Sequence, residues 1–184
     1  GSHPLSDDAL RVRSLRATTR AQIELNTGLV RFSESDYDAA LESFSAAAQE
    51  ILSGVGHGNT NTNNNNNTSQ PPAALSRSIY RPRDWVGPAA AGAQQPSLLY
   101  HEAINNASLC HLYSCRLADA VSTLEALVRN DPAAFLTERT AFNLCTLYEL
   151  GSDSVVATRN KRVLQLIAKR FFLHDVGPES FRVT

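Results

Sequence analysis

The side chains best suited to chemistry in this sequence are Cys110, His111 and Cys115, which lie close together in one segment. Cysteine and histidine are common zinc ligands, and a cysteine paired with a histidine base can act as a nucleophile. On a helix, however, residues five apart point about 140° away from one another, and adjacent residues face different directions. No second Cys/His pair follows at zinc-finger spacing. We therefore predict thiols buried in a helical core at these positions, and neither a metal site nor a catalytic pair.

The remaining sequence carries no signature of an enzyme or of a bound cofactor. It has no Walker-type phosphate loop, no dinucleotide-binding fingerprint and no nucleophile elbow. We predict a protein that is not an enzyme and that needs no cofactor.

Composition limits the kinds of partner. A net charge of −1 and a pI near 6.6 give no general attraction to nucleic acid or to anionic membranes, so both are disfavoured. No apolar run approaches the roughly 20 residues that span a bilayer, so we predict no direct membrane insertion. Three cysteines, an odd number, fit reduced thiols in the cytosol better than a disulfide framework.

The segment from His101 to Leu150 reveals how such side chains would be positioned. Its apolar residues recur at intervals of three and four, which is the period of helices that bury one stripe. A break at Cys115, a proline at 132 and a glycine at 151 divide the segment into three helices. The sequence therefore predicts an all-α fold.

A spacing pattern in this segment occurs twice in the chain. A small residue in one helix is followed by an alanine, a large apolar residue and another apolar residue in the next, and a fifth position shares the same intervals in both copies, with an offset of 80. The two copies are Gly28, Ala40, Phe44, Ala47 and Leu52, and Ser108, Ala120, Leu124, Leu127 and Pro132. The pattern resembles the tetratricopeptide repeat, whose unit of about 34 residues implies an insertion of about 46 between these copies.

These spacings divide the chain into five parts. Residues 1–3 are typical of an expression-tag remnant, and residues 5–54 form an N-terminal helix and the first repeat. Residues 55–97 are a low-complexity insertion whose asparagine run we expect to be disordered. Residues 98–134 form the second repeat, and residues 135–184 a third, partial repeat with a C-terminal capping helix. The predicted fold is thus a tetratricopeptide solenoid of about two and a half helix pairs.

The insertion contains one segment that could act as a docking motif. Tyr80, Arg81 and Trp85 lie in it, and aromatic and arginine side chains are the usual anchors of protein interfaces. The alternative is that Trp85 packs back onto the neighbouring helices.

A binding groove is expected where the first helix of each repeat lines the concave face. By the repeat pattern, the candidates are Leu25, Leu29, Phe32, Glu102, Asn105, Leu109, Leu112, Thr140, Leu144 and Leu147. This row is mostly apolar and lacks the lysines of repeats that grip a peptide carboxylate, so it suits an amphipathic helix or the chain's own insertion. The alternative is that the same residues are interhelical core.

The N-terminal helix carries an arginine run and an apolar side. The run from Arg11 to Arg20 could meet an acidic partner or could be a solvated face. Leu10, Leu15 and Ile23 would be exposed at an uncovered solenoid end, so we expect this end to self-associate.

The phrases NNASLCHLY, LADAVSTLEALVRNDP and FNLCTLYEL resemble the subunit 12 family of the trafficking protein particle (TRAPP) complex. The resemblance is weak over residues 24–53 and stronger over residues 105–184. It implies a non-catalytic scaffold subunit that contacts other TRAPP subunits and is linked only indirectly to a Rab GTPase. It also implies a role in ER–Golgi transport and autophagy, a cytoplasmic location peripheral to ER–Golgi membranes, and a chain that is a C-terminal fragment.

The alternative function belongs to a different class. A tetratricopeptide adaptor, similar to co-chaperones or import receptors, would bind peptides or helices transiently without belonging to a fixed complex.

Overall fold

The computed structural model describes residues 7–55 and 96–182. These residues contain helices and no strand, which confirms the all-α prediction for the described part of the chain. The α-helices are α1 (Asp7–Ser33), α2 (Tyr37–Val55), α3 (Pro96–Tyr113), α4 (Leu117–Asn130), α5 (Pro132–Phe135), α6 (Glu138–Gly151) and α7 (Ser154–Arg170), followed by a 3-10 helix (Pro178–Phe181). None of the described helices is long and apolar enough to cross a membrane.

The described chain divides into two compact units, Gly1–Ala103 and Ile104–Thr184, with the boundary inside α3. In the first unit, α1 and α2 form an antiparallel pair. Small residues of α1 face a larger apolar stripe of α2 across the contact, so the two backbones can approach closely. The buried residues of this pair include Ala17, Ala21, Leu25, Ala40, Phe44, Ala47, Ala48 and Ile51.

The turn between α1 and α2 is closed by the backbone and by one capping side chain. The carbonyl oxygen of Arg31 accepts from Asp36 N at 3.0 Å, and that of Phe32 accepts from Ser35 N at 3.0 Å. This is the Schellman arrangement, with Ser35 in the left-handed region at φ 64°. Asp36 Oδ1 then caps α2 by accepting from Ala39 N at 3.2 Å, as its position before the helix predicts.

The second unit contains a turn of the same kind at Cys115, 80 residues after Ser35. Arg116 N donates to the carbonyl oxygen of His111 at 2.8 Å, and Cys115 N donates to that of Leu112 at 3.0 Å. Cys115 has φ 60°. Helices α1 and α3 therefore end, and α2 and α4 begin, at places related by the predicted offset.

Two helix ends in the second unit differ from the expectation. Asp131 and Pro132 stop α4, but they also begin the short α5, because Asp131 Oδ1 accepts from Ala134 N at 3.1 Å and proline fits the first helical position. Gly151 is the last residue of α6 and has no positive φ, so α6 lacks the glycine cap that we expected.

The start of α7 agrees with the sequence. Asp153 Oδ1 accepts from Val155 N at 2.9 Å and from Val156 N at 3.0 Å, which caps the helix, since aspartate is a preferred residue at this position. At the other end, Phe172 takes the left-handed conformation with φ 55°. The chain then turns back, and the 3-10 helix begins after Gly177.

Candidate protein-binding surfaces

The side chains of Cys110, His111 and Cys115 lie in different environments, and that of His111 is half-buried. Cys110 is fully buried in α3, whereas Cys115 is exposed at the turn after it, so the prediction of a buried thiol is wrong for Cys115. The reason is that residue 115 belongs to the turn and not to the helix. No group of His, Cys, Asp and Glu among the described residues is arranged to hold a metal ion.

Cys145 is the counterpart of Cys110 at an offset of 35 and is buried in α6. Burial raises the pKa of its thiol to about 11, so the thiol stays protonated at neutral pH. Because the thiolate is the nucleophile and the metal ligand, Cys145 behaves as a small core residue.

The residues that define the predicted repeat form the centre of both helix pairs. Ala40, Phe44, Ala120 and Leu124 have no exposed surface, while Pro132 is only half-buried. The small residues lie where helices approach most closely. Ser108 Oγ donates to the carbonyl oxygen of Ala120 at 2.9 Å, so its hydroxyl group is satisfied inside the pair. Gly28 lies against the ring of Phe44.

Half of the predicted groove residues are buried within their own unit. These buried members are Leu25, Asn105, Thr140, Leu144 and Leu147. Asn105 Oδ1 accepts from Asn143 Nδ2 at 2.8 Å, which joins α3 to α6. Such residues belong to the helical core, which was the alternative left open by the sequence.

The other members of the row keep part of their surface. Leu29 is 48% exposed, and the ring of Phe32 meets that of Tyr37 edge-on at 5.3 Å. The side chains of Glu102, Leu109 and Leu112 are all half-buried. A binding groove formed by these residues stays a prediction.

Two further predicted features have different outcomes. Tyr80, Arg81 and Trp85 lie outside the described residues.

Within the arginine run of α1, Arg13 Nη2 donates to the carbonyl oxygen of Ser53 at 3.5 Å, and Arg20 lies 3.9 Å from Glu50. These arginines reach across to α2, which favours a structural and solvated role over an acidic-partner site.

A buried lysine at the C-terminal side of the second unit was not predicted. Lys161 in α7 stands 37 residues after Leu124, and its neighbours Ala157 and Leu164 stand 37 residues after Ala120 and Leu127. It therefore takes the place that a large apolar residue fills in α4. Its side chain is only 7% exposed, and its Nζ donates to Glu149 Oε1 and, at 3.1 Å, to the carbonyl oxygen of Arg182.

Arg182 connects the chain's C-terminal segment to α6 with its side chain as well. Its guanidinium lies 3.6 Å from Glu149 Oε2, donates to Thr146 Oγ1 at 3.2 Å and stacks 5.3 Å above the ring of Phe142. The 3-10 helix before it buries Ser180 and Phe181. The segment thus packs against α6 and α7.

Glu149 is the acidic centre of this cluster. The hydrogen bond from Lys161 lowers the pKa of its carboxyl group, and the charges of Lys161 and Arg182 act in the same direction. A buried lysine is seldom predicted from sequence, since lysine is normally exposed. The available signal was a cation at an otherwise apolar position of the helical pattern.

The described part of the chain is all-helical, with Cys110 and Cys145 buried and Cys115 exposed at a turn. The chain is similar to the trafficking protein particle complex subunit 12 of Mus musculus, at 40% identity over 66 residues, and of Homo sapiens, at 50% identity over 49 residues. These segments are 36% and 27% of this chain, but only 8% and 7% of the relatives, so each match spans less than a tenth of the relative's length. No protein-family model and no solved structure matches the chain.

Proposed function

We propose that this chain is a non-catalytic scaffold segment of a TRAPP-type vesicle-tethering complex. The observation that carries the proposal is the similarity to subunit 12 of that complex in two mammals, over about a third of the chain. The segment would hold partner subunits, and its link to a Rab GTPase would be indirect. Its location would be cytoplasmic and peripheral to ER–Golgi membranes, with a role in transport between them and in autophagy.

The geometry of the described residues supports a scaffold role. Two hydrogen bonds of buried polar side chains join helices, namely Asn105–Asn143 and Ser108–Ala120. A thiol held protonated by burial, as in Cys145, offers no nucleophile at neutral pH.

We further propose that the helix pairs form a tetratricopeptide-type solenoid. Two observations support this arrangement: the helix ends and left-handed turns at Ser35 and Cys115 share the offset of 80, and the buried positions around Phe44 and Leu124 coincide. The C-terminal segment that ends in Arg182 would then be the cap that a solenoid requires on its last face.

The test of the proposed function is co-purification from cells. The tagged chain should be isolated from lysate and its partners measured by quantitative mass spectrometry. A scaffold subunit should come out with a fixed set of large partners in stoichiometric amounts, including other TRAPP subunits. Substoichiometric partners that wash out with time, without TRAPP subunits, would support the adaptor alternative and contradict the proposal.

A further inference from the structure

The outer face of α7 combines exposed apolar side chains with cations. Three large apolar residues are well exposed, namely Val155 at 77%, Val163 at 49% and Leu166 at 65%. Four exposed cations accompany them: Arg159, Arg162, Lys169 and Arg170. The helix contains no Asp or Glu, and none of these four cations has an ion-pair partner within residues 7–55 and 96–182.

This face lies opposite the side of α7 that packs into the second unit. The opposite side of α7 is buried, with Ala157, Lys161, Leu164 and Ala168 turned inward. Several outer residues, including Val155, Arg159 and Leu166, line one shallow, open depression. Because exposed large apolar side chains cost solubility without stabilising the fold, their grouping indicates an interaction site.

Helix α4 provides an internal comparison, because its residues correspond to those of α7 at the offset of 37. The positions equivalent to Val155, Arg159, Arg162, Val163 and Leu166 are Ala118, Ser122, Glu125, Ala126 and Arg129. The residues at these positions of α4 are small or polar, and the carboxylate of Glu125 lies 3.6 Å from the guanidinium of Arg129. The cationic and apolar character is therefore specific to α7.

We propose that the outer face of α7 docks an acidic amphipathic helix of a partner protein. This inference rests on the proposed scaffold function and names the chemistry of one partner. The exposed residues follow a spacing of three and four from Val155 to Arg170, a straight stripe of about 22 Å that matches the length of a second helix of four turns. Carboxylates on that helix would neutralise the four cations, and its apolar residues would cover Val155 and Leu166.

The arrangement of charge favours a protein over a membrane. In helices that lie in a membrane surface, the apolar sector is continuous, so that it can sink between lipids. On α7 the two kinds of side chain alternate within an arc of about 120°, with Arg159 one helical turn from both Val155 and Val163. Three of the four cations are arginines, which bind carboxylates with two parallel hydrogen bonds and are enriched in protein interfaces.

Binding of designed helical peptides to the full chain tests the chemistry. The probe is a peptide of about 20 residues with leucines at three- and four-residue spacing and glutamates beside them. One control peptide has lysine for each glutamate, and a second has serine for each leucine. We expect the first peptide to bind at least roughly tenfold more tightly than either control, by fluorescence anisotropy.

Paired charge variants locate the site. Arg159→Glu/Arg162→Glu should weaken binding of the acidic peptide at least roughly tenfold. The control variant Arg129→Glu/Arg139→Glu, with changes on α4 and α6, alters the net charge of the protein by the same amount. It should leave the affinity for the acidic peptide within about twofold of the wild type. Circular dichroism of all variants checks that the helices remain folded.

The results of these experiments distinguish failure of the docking site on α7 from failure of the proposed scaffold function. Equal binding of the acidic and basic peptides, or equal losses in the two charge variants, overturns the docking site. Binding to vesicles that contain phosphatidylserine, without binding of the acidic peptide, would overturn it in favour of a membrane. If the wild-type chain co-purifies with TRAPP subunits in any of these cases, the scaffold function stands and only the role of α7 fails.

Discussion

Gly28 in α1 lies so close to Phe44 in α2 that a Cβ atom at residue 28 would be 2.5 Å from Cε1 of the ring. The three atoms nearest to that position all belong to the ring, which is fully buried. A buried ring has little room to withdraw, so the separation of the two helices depends on the absence of a side chain at residue 28.

We predict that Gly28→Ala destabilises the first unit. Overpacking costs about 1–3 kcal/mol, which exceeds the roughly 0.5–1 kcal/mol that alanine gains over glycine inside a helix. Urea unfolding measures the difference. Gly28→Ala/Phe44→Leu should recover part of the loss, because the second copy of the pattern combines a side chain at the first position, Ser108, with a leucine at the third, Leu124. Gly151→Ala is the control, since that residue is exposed at the end of α6; an equal loss there would contradict the packing explanation.

Leu124→Ala should be among the most damaging single changes in the second unit. Leu124 is fully buried between helices, and removing such a side chain costs about 2–5 kcal/mol.

Cys110→Ala should cost only about 1 kcal/mol, since it removes one sulfur atom. Thermal unfolding with and without a chelator completes the test, because a melting temperature lowered by the chelator would contradict the structural role of the thiols.

Glu149 should make stability depend on pH on the acidic side. Its pKa is lowered by the hydrogen bond from Lys161, so the folded state favours the ionised form. The resulting stabilisation is complete above the unfolded pKa of about 4.3 and is lost as the pH falls through the lower folded-state pKa. Urea unfolding between pH 3 and 7 should show a smaller acid loss in Glu149→Gln than in the wild type, and equal losses in the two proteins would contradict the prediction.

The outer face of α1 should mediate self-association. Val12, Leu15, Ile23 and Val30 are each at least 58% exposed, and such a row of apolar side chains favours association at high concentration. Light scattering should detect a dimer or larger species that Leu15→Glu/Ile23→Glu converts to monomer. Gln49→Glu/Ser53→Glu on α2 adds the same number of carboxylates and should leave the associated species unchanged. A wild-type monomer at high concentration would contradict the prediction.

The longer helices and the buried stripes could be predicted from the sequence because they depend on local spacing. The period of apolar residues placed Phe44 and Leu124 in the core, and Asp36 and Asp153 marked helix starts. The short α5 was missed because Asp131 both stops one helix and caps the next. A local stop signal does not indicate that the chain resumes a helix immediately.

The features missed near the C-terminus depend on distant residues. Lys161 contacts residues 12 and 21 positions away, and its burial is tolerated only because Glu149 and the carbonyl oxygen of Arg182 satisfy its ammonium group. No local pattern reports such a partner. The left-handed turns at Ser35 and Cys115 were also unexpected, since glycine is the usual residue at that position.

Lys161 has a consequence for the growth of an array built from these helix pairs. The equivalent residues of the two earlier helix pairs, Phe44 and Leu124, are apolar and need no polar partner. The ammonium group of Lys161 would lose its hydrogen bond to the carbonyl oxygen of Arg182 if an added helix displaced the C-terminal segment, and an unsatisfied buried N–H of a charged group is costly even with Glu149 still in place. In a solenoid of the proposed kind, we therefore expect Lys161 to oppose the addition of a further helix pair, or of a second copy, at this face.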